Sequence, residues 1–196
     1  MIHRTIHTLK KLPRHISARV NRHLLSPSVV LEELGVSEGD TLLELGNPVG
    51  FFAPAAVPLV GSPGRVIVAG PNEESFDRIG HLIDQHSVEP LLLADVLLGR
   101  AFDHHSVDLV LLTNLLSSSL HPNQFCLSLG GYLKSDARIV LMDWEVHTGV
   151  GPEHERKVSR EDAIRMLTAC GWKFESTLRT PGYHYGLVFR NKPPVR

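Results

Sequence analysis

The run Leu42-Leu43-Glu44-Leu45-Gly46-Asn47-Pro48-Val49-Gly50 ends an apolar stretch in an acid and follows it with a glycine-punctuated turn. Glycines in that position let backbone N–H groups and a helix N-terminus approach a ligand closely. Pro48 is a departure, because it stands where loops of this kind carry a middle glycine. Proline brings no N–H and fixes φ near −65°. Side chains able to move a proton lie further along: His121, Asp143, His147, His154 and Tyr183-His184-Tyr185. Each has an ordinary alternative as a structural or solvated group. His147, Glu153 and His154 do not fit a standard zinc spacing, so no metal is expected. His104-His105 precedes an apolar run and reads as a solvent-facing turn. The chain has no nucleophile elbow and no P-loop lysine.

Elements of two periods must position these groups. Ser26-Pro27-Ser28 reads as a helix start, with Val30, Leu31 and Leu34 on its apolar side and Gly35 at its end. Thr41 to Leu45 reads as a strand. Ala53 to Val60 reads as a helix, with Pro54 in its first turn and Pro58 expected to kink or end it. Arg65 to Ala69 is a second strand, Glu73 to His86 a helix, Pro90 to Leu93 a third strand and Val107 to Leu112 a fourth. The fourth is apolar enough to be buried on both faces. Gln124 to Leu133 reads as helix and Arg138 to Met142 as a fifth strand. Ser159 and Asp162 form a capping box for a helix closing at Gly171. Trp172 to Thr177 and Tyr185 to Arg190 are late strands suited to an antiparallel edge. Alternating strands and helices imply right-handed crossovers, a mostly parallel sheet and a ligand site beyond the carboxyl ends of its strands.

Composition bounds the rest. The chain has 196 residues, 42% hydrophobic and 21% charged, which suits one domain with a sizeable core. Net charge is −1, so the molecule as a whole is no polyanion binder. No stretch is apolar for the ~20 residues a transmembrane segment needs, and no secretory signal pattern follows Met1. Cys126 and Cys170 read as free thiols of a reducing cytoplasm. Acids are missing before Glu32, so the first 31 residues carry +6 and the remainder −7. Ile16, Val20 and Leu24 recur at helical spacing in this basic arm. It can serve as an entry helix packed on the body, or as a contact for phosphate, RNA or an anionic membrane. The arm has no aromatic residue on which a base could stack. The expected organisation is a basic arm over 1–26, a single domain over 27–190 and a disordered tail over 191–196.

Several landmarks in order carry a resemblance: Glu44-Leu45-Gly46 to Gly50, Asp95, Phe102 to Val110, Tyr132-Leu133-Lys134, and Asp143-Trp144. Over about residues 27 to 190 the chain resembles the class I S-adenosylmethionine-dependent methyltransferases. Within them it is most similar to the small-molecule branch of ubiquinone/menaquinone biosynthesis-type enzymes. The resemblance implies a Rossmann-like α/β fold: a seven-stranded, mostly parallel sheet with an antiparallel edge strand and helices on both faces. It implies that Gly46, Asn47, Pro48 and Gly50 wrap the methionine part of S-adenosylmethionine and that Glu44 organises this loop. It also implies that Asp95 bonds the adenine amino group and that Asn114 lies beside the transferred methyl. Each acid also has a bland reading, Glu44 as a loop cap and Asp95 as a turn acid. Asn114 can equally be a helix cap.

A second departure accompanies Pro48. The family grips the ribose hydroxyls with an acid after the second strand, and here Gly70-Pro71-Asn72 follows instead. Each charge-assisted bond lost costs about 1.5–3 kcal/mol. Asn72 or Glu73 stands near enough in sequence to substitute. Ser135-Asp136-Ala137 also replaces the family's proline-glycine-glycine turn, which bears on loop shape rather than chemistry. Two functions follow. One is methyl transfer to a small-molecule or lipid-like acceptor, an in-line displacement that chiefly needs alignment, with Asn114, Asp143 and His147 as catalytic candidates. The other is a methyltransferase-like binding or assembly module with lost or weakened cofactor affinity.

Overall fold

The computed structural model describes residues 26–191, apart from 86, 102, 118–121, 154–155 and 181. The basic arm up to residue 25, His121, His154 and the tail from 192 lie outside the described residues. Seven strands form one sheet in the order β3-β2-β1-β4-β5-β7-β6. They are β1 (Thr41–Gly46), β2 (Arg65–Gly70), β3 (Glu89–Leu92), β4 (Val107–Thr113), β5 (Leu133–Trp144), β6 (Trp172–Leu178) and β7 (His184–Asn191). The first five run parallel, while β7 is antiparallel to both β5 and β6. β7 includes Asn191, whose amide Nδ2 donates to the Lys134 carbonyl at 2.9 Å.

Period-two alternation sorts the central strands into two cores. Leu43, Leu45, Val110 and Leu112 meet α4 (Leu93–Leu97), α5 (Pro122–Gly130) and α6 (Arg160–Ala169) through Val96, Leu129 and Leu167. Leu42, Leu109 and Leu111 meet α1 (Pro27–Glu33) and α2 (Ala53–Val60) on the other face, through Leu31, Ala53 and Val60. β1 and β4 are buried on both sides, in keeping with their mostly apolar sequences. No helix among the described residues is long and apolar enough to cross a membrane.

Several local expectations need correction. The helix expected over Glu73 to His86 is a 3-10 segment, Glu73–Ile79, followed by the short α3 (Gly80–Asp84). Phe76 and Ile79 stand three apart and share one face of a 3-10 turn, so both bury at once. Gly80 then interrupts with a poor helix former. Pro58 does not end α2, which continues to Val60 before Gly61 closes it. Only two residues follow Pro58, so little helix remains for the ring to disturb. The expected cap of α1 fails too: Ser26 makes no capping bond and its hydroxyl meets that of Ser28 at 3.0 Å. β5 is far longer than Arg138 to Met142, because its start pairs with Val107 and its end with His184. The box at Ser159 holds, its Oγ accepting from the Asp162 N–H at 3.1 Å.

Candidate functional site

Strand order reverses between β1 and β4, and in sheets of this kind ligands bind beyond the carboxyl ends of the strands at such a switch. Gly46 pairs with Thr113, Thr113 with Met142 and Gly70 with Leu92. The parallel register therefore brings Gly46 to Gly50, Gly70, Asp95, Asn114 and Asp143 to the same edge of the sheet.

Glu44 is fully buried beneath the glycine loop. Its Oε1 accepts from the Phe51 N–H at 2.5 Å and the Phe52 N–H at 3.1 Å. Its Oε2 accepts from Phe52 at 3.1 Å and Ala53 at 3.0 Å. These donors are orphan N–H groups at the start of α2, so one carboxylate both caps the helix and shapes the loop. Burial pushes its pKa up to about 7 against the opposing pull of the three backbone donors. Gly46 and Gly50 are needed for different reasons. A Cβ on Gly46 would sit 2.7 Å from both Cβ and O of Thr113. Gly50 has φ +70°, and its Cβ would sit 2.5 Å from Ile79 Cγ2. The left-handed position thus falls at Gly50, which leaves position 48 open to proline. Asn47 ties the loop to β4: its N–H donates to Thr113 O at 2.9 Å, and its carbonyl accepts from Asn114 Nδ2 at 2.8 Å.

At the second and third strands the fit is uneven. A side chain at Gly70 would fall on Ser75 Oγ and come within 3.1 Å of the Phe76 ring. A side chain there would have to displace the Ser75 hydroxyl and press on the Phe76 ring. Asn72 Oδ1 is engaged as the cap of the 3-10 segment, accepting from Ser75 N at 3.1 Å. Glu73 is exposed beside it. Asp95 lies half-buried in the first turn of α4, three residues past β3.

The β4–β5–β7 side is held mainly by backbone acceptors. Asn114 follows β4 with φ +54°, its N–H donating to Met142 O at 2.8 Å. It is 7% exposed, and its Oδ1 has no partner among the described residues. Because Nδ2 is committed to Asn47, this oxygen can only accept. Asp143 is buried, its Oδ2 accepting from Leu116 N and its Oδ1 from Trp144 N, both at 2.8 Å. Burial pushes it up to about 6. It positions the loop after β4 rather than facing an open cleft. Lys157 Nζ gathers the next loop, donating to the carbonyls of Glu145, Thr148 and Val150 and to Thr148 Oγ1 at 2.6–3.2 Å. Desolvation lowers its pKa. Arg156 Nη2 reaches Ser117 O at 3.1 Å, and Arg160 pairs with Glu145.

Gly151, with φ +98°, lies flat on Trp144, whose ring is 4.1 Å from that of His184. Neither His184 nitrogen has a partner among the described residues, and burial pushes the ring down to about 4. His184 is thus a neutral core residue and not an open base. Tyr185 is buried with its hydroxyl donating to Val158 O at 3.0 Å. His147 is exposed in the turn after β5, away from these contacts. His104 and His105 are exposed as expected, yet each also uses Nδ1 at 3.0 Å on the Gly131 or Leu133 carbonyl. Among the described residues no three His, Cys, Asp or Glu side chains group to hold a metal ion. A shallow groove of about 360 Å³, lined by His105, Lys134, Ser135 and Asn191, lies at the opposite edge of the sheet.

No protein-family model matches the sequence, and no curated protein matches it. Solved structures do. A SAM-dependent methyltransferase from Aquifex aeolicus is 23% identical with a TM-score of 0.80, over 93% of this chain and 100% of that one. The 1,6-didemethyltoxoflavin-N1-methyltransferase of Burkholderia thailandensis, solved with its substrate and S-adenosylhomocysteine, is 16% identical with a TM-score of 0.64. That match spans 85% of this chain and 77% of the other. A geranyl diphosphate methyltransferase in complex with SAM is 12% identical with a TM-score of 0.64, over 84% of each chain. The fold is that of the Rossmann-like methyltransferases. The local sequence does not mark Lys157, Arg156 and Gly151, because the groups that Lys157 and Arg156 hold are backbone carbonyls. The only available signal was the pair of glycines at 149 and 151.

Proposed function

We propose that the chain binds S-adenosylmethionine along this edge and transfers its methyl group to a small-molecule or lipid-like acceptor. The observation that carries the reading is Glu44, whose four bonds to the Phe51, Phe52 and Ala53 N–H groups fix a glycine loop at the strand-order switch. In this reading the residues present fit the methionine and adenine ends of the cofactor. Gly46 and Gly50 keep the loop free of side chains, Asn47 and Pro48 form its crest, and Asp95 offers a carboxylate to the adenine amino group. Asn114 Oδ1 is an acceptor without a partner, suited to a ligand donor once the side chain is reached. The bound cofactor supplies an electrophilic sulfonium methyl, and the protein's share is alignment and exclusion of water. The likeness to ubiquinone/menaquinone-type enzymes, and the small substrates named for two neighbours, support the acceptor class.

The β2 end favours a second reading. Gly70 leaves no ribose acid, and Ser75 and Phe76 fill the space one would need. A fold with lost or weakened cofactor affinity, serving as a binding or assembly module, accounts for that departure. Calorimetry and thermal shift with S-adenosylmethionine and S-adenosylhomocysteine decide between them. Methyl transfer requires saturable binding, a rise in Tm with ligand, and about tenfold weaker binding in Asp95→Ala. No heat and no rise in Tm at millimolar ligand leaves only the binding module.

A further inference from the structure

All 8 residues of α2 are apolar. Ala53, Ala56 and Val60 are buried, which leaves Pro54, Val57 and Pro58 on the outer side, with both prolines exposed. A surface helix ordinarily turns polar residues outward. α1 packs beside α2 and adds Val29, which is 58% exposed. Acids rim this apolar face. Glu32 and Glu33 are exposed in the last turn of α1. Glu38 lies at the end of α2, its Cγ 3.2 Å from where a Cβ on Gly61 would stand. None of the three pairs with a cation among the described residues. The dipole at a helix C-terminus favours cations over acids. An occupant of this face therefore needs apolar side chains and positive charge together.

We propose that the basic segment before Ser26 is that occupant and docks across the outer face of α1 and α2. Three features of the chain select it. Its six cations come with no acid, while the rest of the chain carries −7. Ile16, Val20 and Leu24 form its apolar stripe; at helical spacing they span about 12 Å, as α2 does. Leu24 is followed within two residues by Ser26, where α1 begins, so the stripe reaches the face without a linker. A second copy presenting the same face would set acids against acids, and an anionic surface would be repelled by them. In the docked state Ile16, Val20 and Leu24 cover Val29, Pro54 and Pro58, and Arg14, Arg19 and Arg22 offset Glu32, Glu33 and Glu38. The arm's charge is then used on the protein's own body and is not free for RNA or a membrane. This holds whether or not the cofactor binds.

Limited trypsin digestion of the full chain tests it, following cleavage after Arg14, Arg19 and Arg22 by mass. The comparison variants are Val20→Asn and Val29→Asn. Val20 lies outside the described residues and Val29 is exposed, so neither change opens the described core. Wild-type cleavage should be about tenfold slower than in either variant. Raising the salt to about 0.5 M should quicken it in the wild type but not in the Glu32→Gln/Glu33→Gln/Glu38→Gln protein. Equal cleavage of the wild type and both variants overturns the proposal. Protection that grows with protein concentration alongside a dimer in sedimentation overturns it in favour of a second copy. Protection gained only on phosphatidylglycerol vesicles overturns it in favour of a membrane contact.

Discussion

The glycine loop and the loop after β5 occupy neighbouring parts of one sheet edge and are organised from opposite directions. In the first, a buried anion, Glu44, collects three backbone N–H groups at the head of a helix. In the second, a cation, Lys157, collects three carbonyls from a loop that has no helix to begin. The difference follows from which backbone groups lie unpaired. A helix start exposes donors, and an irregular loop turned inward exposes acceptors. Each loop is ordered by the one charge sign that its backbone can bind. Asn114 ties the glycine loop to β5, its side chain donating to the Asn47 carbonyl and its N–H to that of Met142.

The strongest way to break this comparison is Glu44→Ala. It leaves three buried N–H groups without an acceptor, and urea unfolding should show a loss of about 3–5 kcal/mol. Hydrogen exchange should quicken at 50–53 before it changes at 145–150. A loss under 1 kcal/mol would mean that Glu44 is not what holds the loop. Lys157→Met tests the other side. It keeps the apolar stem and removes the ammonium, for an expected loss of about 2 kcal/mol. Exchange should now quicken at 145–150 and stay unchanged at 50–53. Equal quickening of both loops would show that the two regions are a single unit.

The pH dependence sharpens the comparison through the buried titratable groups. Glu44 and Asp143 are raised from 4.5 to about 7 and from 3.8 to about 6. For both, the folded state binds more protons than the unfolded one, so their stability is full at low pH. It is lost as pH rises through those values. His184 is lowered from 6.5 to about 4, so the folded state binds fewer protons and its contribution grows between those values. Between pH 4.5 and 6.5 the carboxyl groups and the imidazole oppose each other. His184→Phe should remove the rising part and steepen the fall in unfolding free energy by about 1.4 kcal/mol per pH unit. An unchanged slope would mean that His184 titrates alike in both states.

Legibility in the sequence divided along the same line. Glu44, Gly46 and Gly50 stood out because the glycine loop lies within one short segment, where spacing carries the geometry. Asp95 and Asn114 could be placed only through the resemblance, and the fold does bring both to the same edge. Gly70 was visible as a missing acid. That Ser75 and Phe76 fill the space depended on a 3-10 segment which the expected helix concealed. Asp143 and His184 are candidate bases by residue type, yet both are buried: the first is bonded to backbone, the second is pressed on Trp144.

By itself the sequence determined the alternation of strands and helices, the two-sided burial of the central strands and the acid–glycine loop. These are local and periodic properties, and a side chain's type and spacing are enough to state them. Tertiary structure alone decided the strand order, the closed space beside Gly70 and the carbonyl cage of Lys157. Those depend on backbone groups and on residues far apart in the chain. A backbone carbonyl has no letter in the sequence, and distance along a chain says nothing about distance across a sheet.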